Sequence, residues 1–261
     1  MHLQSASFSD AVNIGLAVCV MGTVEIVTVT CKAGYDFLLV DMEHGRIGIA
    51  EMTEICVAGL LAGLPVYARV TGPGSPDLSR VLDCGASGVV VPHVDTLEQA
   101  QSIVKRTRFM PVGERSLPGP LAICGFGSVK VPNLIEKAER TTRVIAMIES
   151  QSGLHAASDI AELEGIDGVM IGSNDLAASL GHLGDVGHPK VKQAFAEIGQ
   201  AAELHGKSFG VMGLPTELIE DQALALSAGM IVATNEINLL SEGADRVLGE
   251  YRQISQNART T

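Results

Sequence analysis

Short apolar runs rich in Val, Ile and Leu alternate with segments of helical spacing along the 261-residue chain. The runs are NIGLAVC (13–19), FLLVDM (37–42), PVYARV (65–70), GVVVPHV (88–94), RVIAMIES (143–150), IDGVMIG (166–172), KSFGVMG (207–213) and MIVATNE (230–236). Most are continuously apolar rather than alternating, the pattern of parallel strands covered by helices. Between them, IAEMTEICVAGLLAG stops at Gly63, and SPDLSRVLDCGA opens on Ser75-Pro76, a cap followed by a first-turn proline. TLEQAQSIVKRTRF starts at Thr96 and carries its basic residues in the last turn, where the helix dipole favours them. SGLHAASDIAELEG, KVKQAFAEIGQAAELHG and PTELIEDQALALSAG each end in glycine. Eight such βα units predict an α/β fold, a (β/α)8 TIM barrel, with residues 1–261 as a single domain. A doubly wound sheet would need a nucleotide fingerprint after an early strand, and GPGSPD (72–77) lacks its third glycine and spacing.

Two segments stand outside this repeat. The stretch 110–133, MPVGERSLPGPLAICGFGSVKVPN, is long, non-periodic and rich in Gly and Pro, which suggests a functional loop such as a lid. The C-terminal segment 237–255, INLLSEGADRVLGEYRQIS, is amphipathic at helical spacing. It suits packing on a neighbouring subunit or closure of its own barrel equally well.

Composition narrows the function. With 46% hydrophobic and 18% charged residues the chain can bury a large core, made aliphatic by 3% aromatics and no Trp. A net charge of −12 argues against nucleic acid or an anionic membrane surface as partner. Cys19, Cys31, Cys56, Cys84 and Cys124 are odd in number, dispersed and without a CxxC pair, so reduced thiols in a cytoplasmic protein are expected. The opening MHLQSASFSDAV shows no basic region followed by an apolar stretch, and no run reaches the ~18 apolar residues of a membrane span.

In a barrel of this kind the active site forms at the C-terminal ends of the strands. There the second run leads into Asp41, Glu43 and His44, the third into Arg69, the fifth into Glu149 and the sixth into Asp175. Two carboxylates from adjacent strands, with few other anionic ligands, suggest a partly hydrated divalent cation, Mg²⁺ or Mn²⁺ rather than zinc. Arg69 would face an oxygen that becomes negative, and His44 can exchange a proton near neutral pH. Asp41 would orient His44 or a metal-bound water. Together these groups describe proton abstraction beside a chelated carbonyl to give an enolate. Each also has a scaffold role open to it: Arg69 as a salt-bridge partner, Glu149 as a helix cap, Asp175 as a helix-dipole partner. His93, in VPHV, reads as structural or as support for the site. Scaffold roles do not explain why four strands deliver charge to one end.

The segments DFLLVDMEHG, YARV, VLDCGASGVVVPHVDTLEQAQ, GERS, AMIES and GIDGVMIGSNDLAASLG resemble the HpcH/HpaI family of metal-dependent (class II) pyruvate aldolases related to 4-hydroxy-2-oxoheptanedioate aldolase. The likeness runs from about Gly15 to the last helix. It implies a (β/α)8 barrel that makes or cleaves a 4-hydroxy-2-oxo acid, giving pyruvate and an aldehyde through a metal-stabilised enolate. On these positions Glu149 and Asp175 would ligate the metal, with Co²⁺ or Zn²⁺ as alternatives to Mg²⁺ or Mn²⁺. Arg69 would stabilise the enolate oxygen, and His44 would be the acid/base through a metal-bound water. Asp83, a helix-end residue by position alone, would raise the basicity of His44. The backbone of Gly172, Ser173 and Asn174 would receive the substrate carboxylate. A homo-oligomer, commonly a hexamer with the last helix on a neighbouring barrel, is also implied. Two departures bear on substrate. Met147 stands where some members have glutamine, and no basic residue lies between Arg115 and Lys130. A distal carboxylate or phosphate would want such a cation, so the resemblance points toward a neutral or apolar aldehyde. The other readings are a citrate-lyase-β or malyl-CoA-lyase-like enzyme, and a non-catalytic metal- or 2-oxo-acid-binding barrel.

Overall fold

Eight parallel strands pair in chain order and close into a barrel, β8 returning to β1. The strands are β1 (Asn13–Val18), β2 (Phe37–Asp41), β3 (Val66–Arg69), β4 (Gly88–Val91), β5 (Arg143–Ile148), β6 (Gly168–Gly172), β7 (Ser208–Met212) and β8 (Met230–Asn235). The structure, a computed structural model, describes residues 12–260. Around the strands lie α1 (Glu25–Ala33), α2 (Ile49–Ala62), α3 (Leu78–Asp83), α4 (Leu97–Thr107), α5 (Val131–Thr141), α6 (Gln151–Glu162), α7 (Ser173–Ser179), α8 (Pro189–Leu204), α9 (Ile219–Gln222) and α10 (Glu236–Thr260). No described helix is long and apolar enough to cross a membrane.

The two-residue period of each strand sorts its side chains between two cores. Leu38 and Val40 join the large aliphatic layer under the helices, while Phe37 and Leu39 fill the barrel interior with Tyr67, Met147 and Met170. Phe37 and Tyr67 meet edge to face, their centroids 5.5 Å apart. Counting on from the inward residues gives Cys19 after Ala17, Asp41 after Leu39, Arg69 after Tyr67, Glu149 after Met147 and Gly172 after Met170. The polar groups at the strand ends therefore belong to the interior face.

Helix ends follow local chemistry. Thr96 and Gln99 form a capping box on α4, and the Ser150 hydroxyl accepts the Gly153 N–H at 2.9 Å to open α6. Two segments differ from expectation. Ser75 and Pro76 do not start a helix: the Asp77 N–H donates to Ser75 Oγ in a turn at 3.2 Å, and α3 begins at Leu78. The segment 215–229 is not one helix but α9 flanked by single 3-10 turns at Thr216–Leu218 and Leu224–Leu226.

The long stretch after α4 lies away from the strand C-termini. Arg108 at its start bonds Gly165 O at 2.9 Å and Glu139 Oε2 at 3.0 Å, and also bonds Asp167, just ahead of β6. Its apolar residues Phe109, Leu121 and Ile123 form a separate cluster with Leu134 and Leu60 on the outer layer. These residues therefore pack on the outer layer of their own barrel and not over its strand ends, since α4 runs from the mouth to the opposite end. Helix α10 extends well beyond the barrel. Its apolar residues Leu240, Tyr251 and Ile254 are exposed, so it does not close its own barrel.

Candidate active site

The register that pairs Asp41 with Arg69 puts the two side chains beside each other at the barrel mouth. Arg69 donates from Nε to Asp41 Oδ1 at 3.0 Å and from Nη2 to Oδ2 at 2.5 Å, a bidentate pair with both residues buried. Burial alone would raise the Asp41 carboxyl, but the Arg69 guanidinium holds it below the ordinary carboxylate range. Burial likewise works against the Arg69 charge, and Asp41, Glu43 and Glu149 more than restore it.

Asp41 also shapes the turn that follows. Its Oδ1 accepts the N–H of Glu43 at 3.0 Å and of His44 at 3.2 Å. The turn sends Glu43 back into the site and His44 outward, with 64% of the His44 side chain exposed. Asp41 therefore orients the His44 backbone rather than its ring. Glu43, set aside from sequence because the metal carboxylates were expected from the fifth and sixth strands, sits in the middle: Oε2 is 3.2 Å from Arg69 Nη1 and 3.6 Å from His44 Nε2. That buried oxygen has no hydrogen bond of proper geometry to either neighbour.

His93 was underestimated from sequence. It follows β4 in a left-handed conformation (φ 57°), rare for a non-glycine residue. Its Nε2 lies 2.7 Å from Glu43 Oε1, its Nδ1 lies 3.3 Å from Glu149 Oε2, and its N–H donates to that oxygen at 3.0 Å. Burial disfavours its charge, but Glu149 and Glu43 outweigh this and raise its pKa. The only sequence signal was a histidine just past a strand end.

Glu149 is buried between β5 and β6. Burial pushes its carboxyl above the ordinary range, opposed by His93 and reinforced by the Asp175 and Glu43 charges. Gly172 makes room for it: a Cβ there would overlap Glu149 Oε1 and stand 2.7 Å from its Cγ. Gly172→Ala is expected to displace this carboxylate, lowering divalent-ion affinity and activity by on the order of tenfold or more with little change in melting temperature. Calorimetric titration with Mn²⁺ and a steady-state assay check this. Asp175 lies exposed in the first turn of α7, where Ser173 Oγ donates to Met212 O at 2.7 Å and Asn174 is exposed.

The structure does not bring Asp83 to His44 within one chain. Asp83 ends α3 on the outer layer, where its Oδ1 accepts from Arg115 Nη2 at 2.6 Å, and Arg115 stacks over Phe109. His44 follows the C-terminal end of β2, whereas the last turn of α3 leads toward the start of β4. Within one chain the two side chains therefore do not meet.

Asp41, Glu43 and Glu149 act on one cation, Arg69, and the Asp175 charge also reaches Glu149, so the mouth carries an excess of carboxylates. An oxygen donor set of this kind, with one carboxylate cradled against Gly172, fits a hard divalent cation. Among the described residues no group of three or more His, Cys, Asp or Glu side chains could hold an ion by itself.

Known proteins are similar to this chain in sequence and share its fold. The chain is 32% identical over 233 residues to the 4-hydroxy-4-methyl-2-oxoglutarate aldolase of Hapsidospora irregularis, covering 88% of this chain and 86% of the relative. It is 30% identical over 238 residues to the 2-keto-3-deoxy-L-rhamnonate aldolase of Escherichia coli, covering 91% and 88%. A crystal structure of an HpcH/HpaI aldolase/citrate lyase family protein from Burkholderia cenocepacia superposes with a TM-score of 0.83 at 30% identity, over 94% of this chain and 96% of that one. A family profile matches residues 22–231, from the first loop over the site to the last strand, and the chain belongs to the HpcH/HpaI aldolase/citrate lyase family.

Proposed function

We propose that this carbon–carbon lyase joins pyruvate, or a related 2-oxo acid, to an aldehyde and cleaves the resulting 4-hydroxy-2-oxo acid. The observation that carries the reading is the buried Arg69, fixed by both oxygens of Asp41 at the mouth that also holds Glu149. Only two of its five N–H groups are taken by hydrogen bonds to Asp41, leaving donors for an oxygen that gains charge as the enolate forms. His44 is the exposed acid/base: in condensation it takes the proton that the pyruvate methyl group loses and delivers one to the new oxygen at C4, and in cleavage the reverse, with Glu43 beside its ring. The substrate carboxylate is assigned to the backbone of Gly172, Ser173 and Asn174 at the opening of α7. Glu149 and Asp175 hold a divalent cation, Mg²⁺ or Mn²⁺ by donor type, which when bound polarises the keto oxygen as a Lewis acid.

Both curated relatives are named for 2-oxo or 2-keto acids, which supports the pyruvate half. Met147 forms an apolar floor below Glu149, and the segment 116–129 carries no cation. A neutral or apolar aldehyde suits this site. The exposed apolar face of α10 supports a homo-oligomer, a hexamer in our reading, and five free cysteines suit the cytoplasm. A panel of aldehydes with pyruvate and Mg²⁺, read by product mass, tests the assignment. Neutral aldehydes should give condensation products; products from carboxylated aldehydes alone would refute the substrate class, and none at all would refute the reaction.

A further inference from the structure

The loop joining β1 to α1 is wrapped around a carboxylate from the other end of the chain. Glu236, the first residue of α10, is 4% exposed and accepts three successive backbone N–H groups. Cys19 N donates to both of its oxygens at 3.0 Å, Met21 N donates to Oε1 at 2.8 Å, and Val20 N donates to the same oxygen. Consecutive N–H groups that converge in this way form an anion nest, and a carboxylate is a strong acceptor for it. Removing Glu236 would take the acceptor from all three N–H groups at once.

The held peptide touches the turn that carries the acid/base. Cys19 O accepts the Arg46 N–H at 3.0 Å, and Cys19 Sγ lies 3.7 Å from Asp41 Oδ2. The backbones meet so closely that a Cβ at Gly45 would stand 2.6 Å from Cys19 O and overlap Asp41 O. Cys19 itself is no acid: burial, then Asp41 and Glu236, push its thiol up to about 12. Its peptide is what matters, with its N–H held by Glu236 and its carbonyl holding Arg46.

We propose that Glu236 is a positioning residue: by clamping the Cys19–Met21 backbone, it fixes the Asp41–Arg46 turn and hence the place of His44. The link to catalysis rests on the aldolase reading above; the link between the two loops does not. Asp41 keeps its ladder pairing with Arg69 at the end of β2, and Glu149 and Gly172 lie on other strands, so pyruvate binding should be largely independent of the clamp.

Three variants of the full-length protein test this. E236A should fold, lower kcat for aldol cleavage by on the order of 10- to 100-fold and leave the KM for pyruvate in the condensation direction within about twofold. Amide hydrogen exchange should speed up at residues 19–21 and also at 44–46. E236Q, which keeps an acceptor oxygen, should retain most of the activity and protection. If E236A does not fold, E236D carries the test, since it keeps the charge but is one methylene short. Unchanged kcat in a folded E236A or E236D would overturn the proposal. So would exchange that quickens only at 19–21, or an E236Q as impaired as E236A. Absence of pyruvate methyl exchange in the wild type would instead count against the aldolase reading, with the amide-exchange arm still deciding whether Glu236 couples the loops.

Discussion

Arg69→Ala should destabilise the protein by about 3–5 kcal/mol and abolish aldol activity in the same step. The stability loss comes from what is left behind. Asp41 would lose two charge-assisted hydrogen bonds and remain buried, and Glu43 Oε2 would lose its nearest cation. Arg69→Lys should recover part of the stability and little of the activity, because an ammonium cannot span both Asp41 oxygens and also face Glu43. The sign with pH follows from Asp41. Its folded pKa is depressed, so its contribution is present above the ordinary carboxylate pKa and is lost as pH falls through the depressed value. The wild type should therefore lose stability on acidification through that range, and Arg69→Ala should lack this component. Urea unfolding at several pH values, beside a steady-state assay, checks both halves.

Glu149→Gln should separate function from stability. Activity should fall by on the order of 10³-fold, and Mn²⁺ affinity should fall with it, since a neutral amide replaces the buried carboxylate of the proposed metal-binding pair. The metal-free protein should nevertheless be as stable as the wild type or melt higher at neutral pH. Burial pushes the Glu149 carboxyl up, and Asp175 and Glu43 oppose its charge as well. The sign is opposite to that of Asp41: a raised folded pKa means stability is lost as pH rises from the unfolded through the folded value, and Gln removes that loss. The amide oxygen can still accept the His93 N–H, so the local backbone should persist. Scanning calorimetry with and without EDTA, together with manganese titration, reads the outcome.

These residues also show what a linear sequence can carry. The barrel and the inward direction of Asp41, Arg69, Glu149 and Gly172 follow from counting by twos along apolar strands. Counting fails where the backbone leaves the strand. The turn after Asp41 swings Glu43 inward and His44 outward, and the left-handed conformation of His93 aims its ring at two carboxylates. Neither follows from residue type. Contacts between distant parts of the chain were also hidden. Asp83 pairs with Arg115, 32 residues on, and Glu236 holds a loop 217 residues before it. Family resemblance gave Asp83 a partner in His44 that a single chain does not supply. Glu236 attracted no role although it stands in the last apolar run, because only the closed barrel brings β8 beside β1.

The central claim is that pyruvate loses a methyl proton to His44, with Arg69 facing the enolate oxygen and a divalent cation held by Glu149 and Asp175. Deuterium exchange at that methyl group, followed by proton NMR with no aldehyde present, tests it most directly. Exchange should be fast in the wild type with Mg²⁺ or Mn²⁺, stop on EDTA treatment, return on adding the ion back, and be absent in Glu149→Gln. Exchange that is indifferent to EDTA, or that persists at the wild-type rate in Glu149→Gln, would contradict the account.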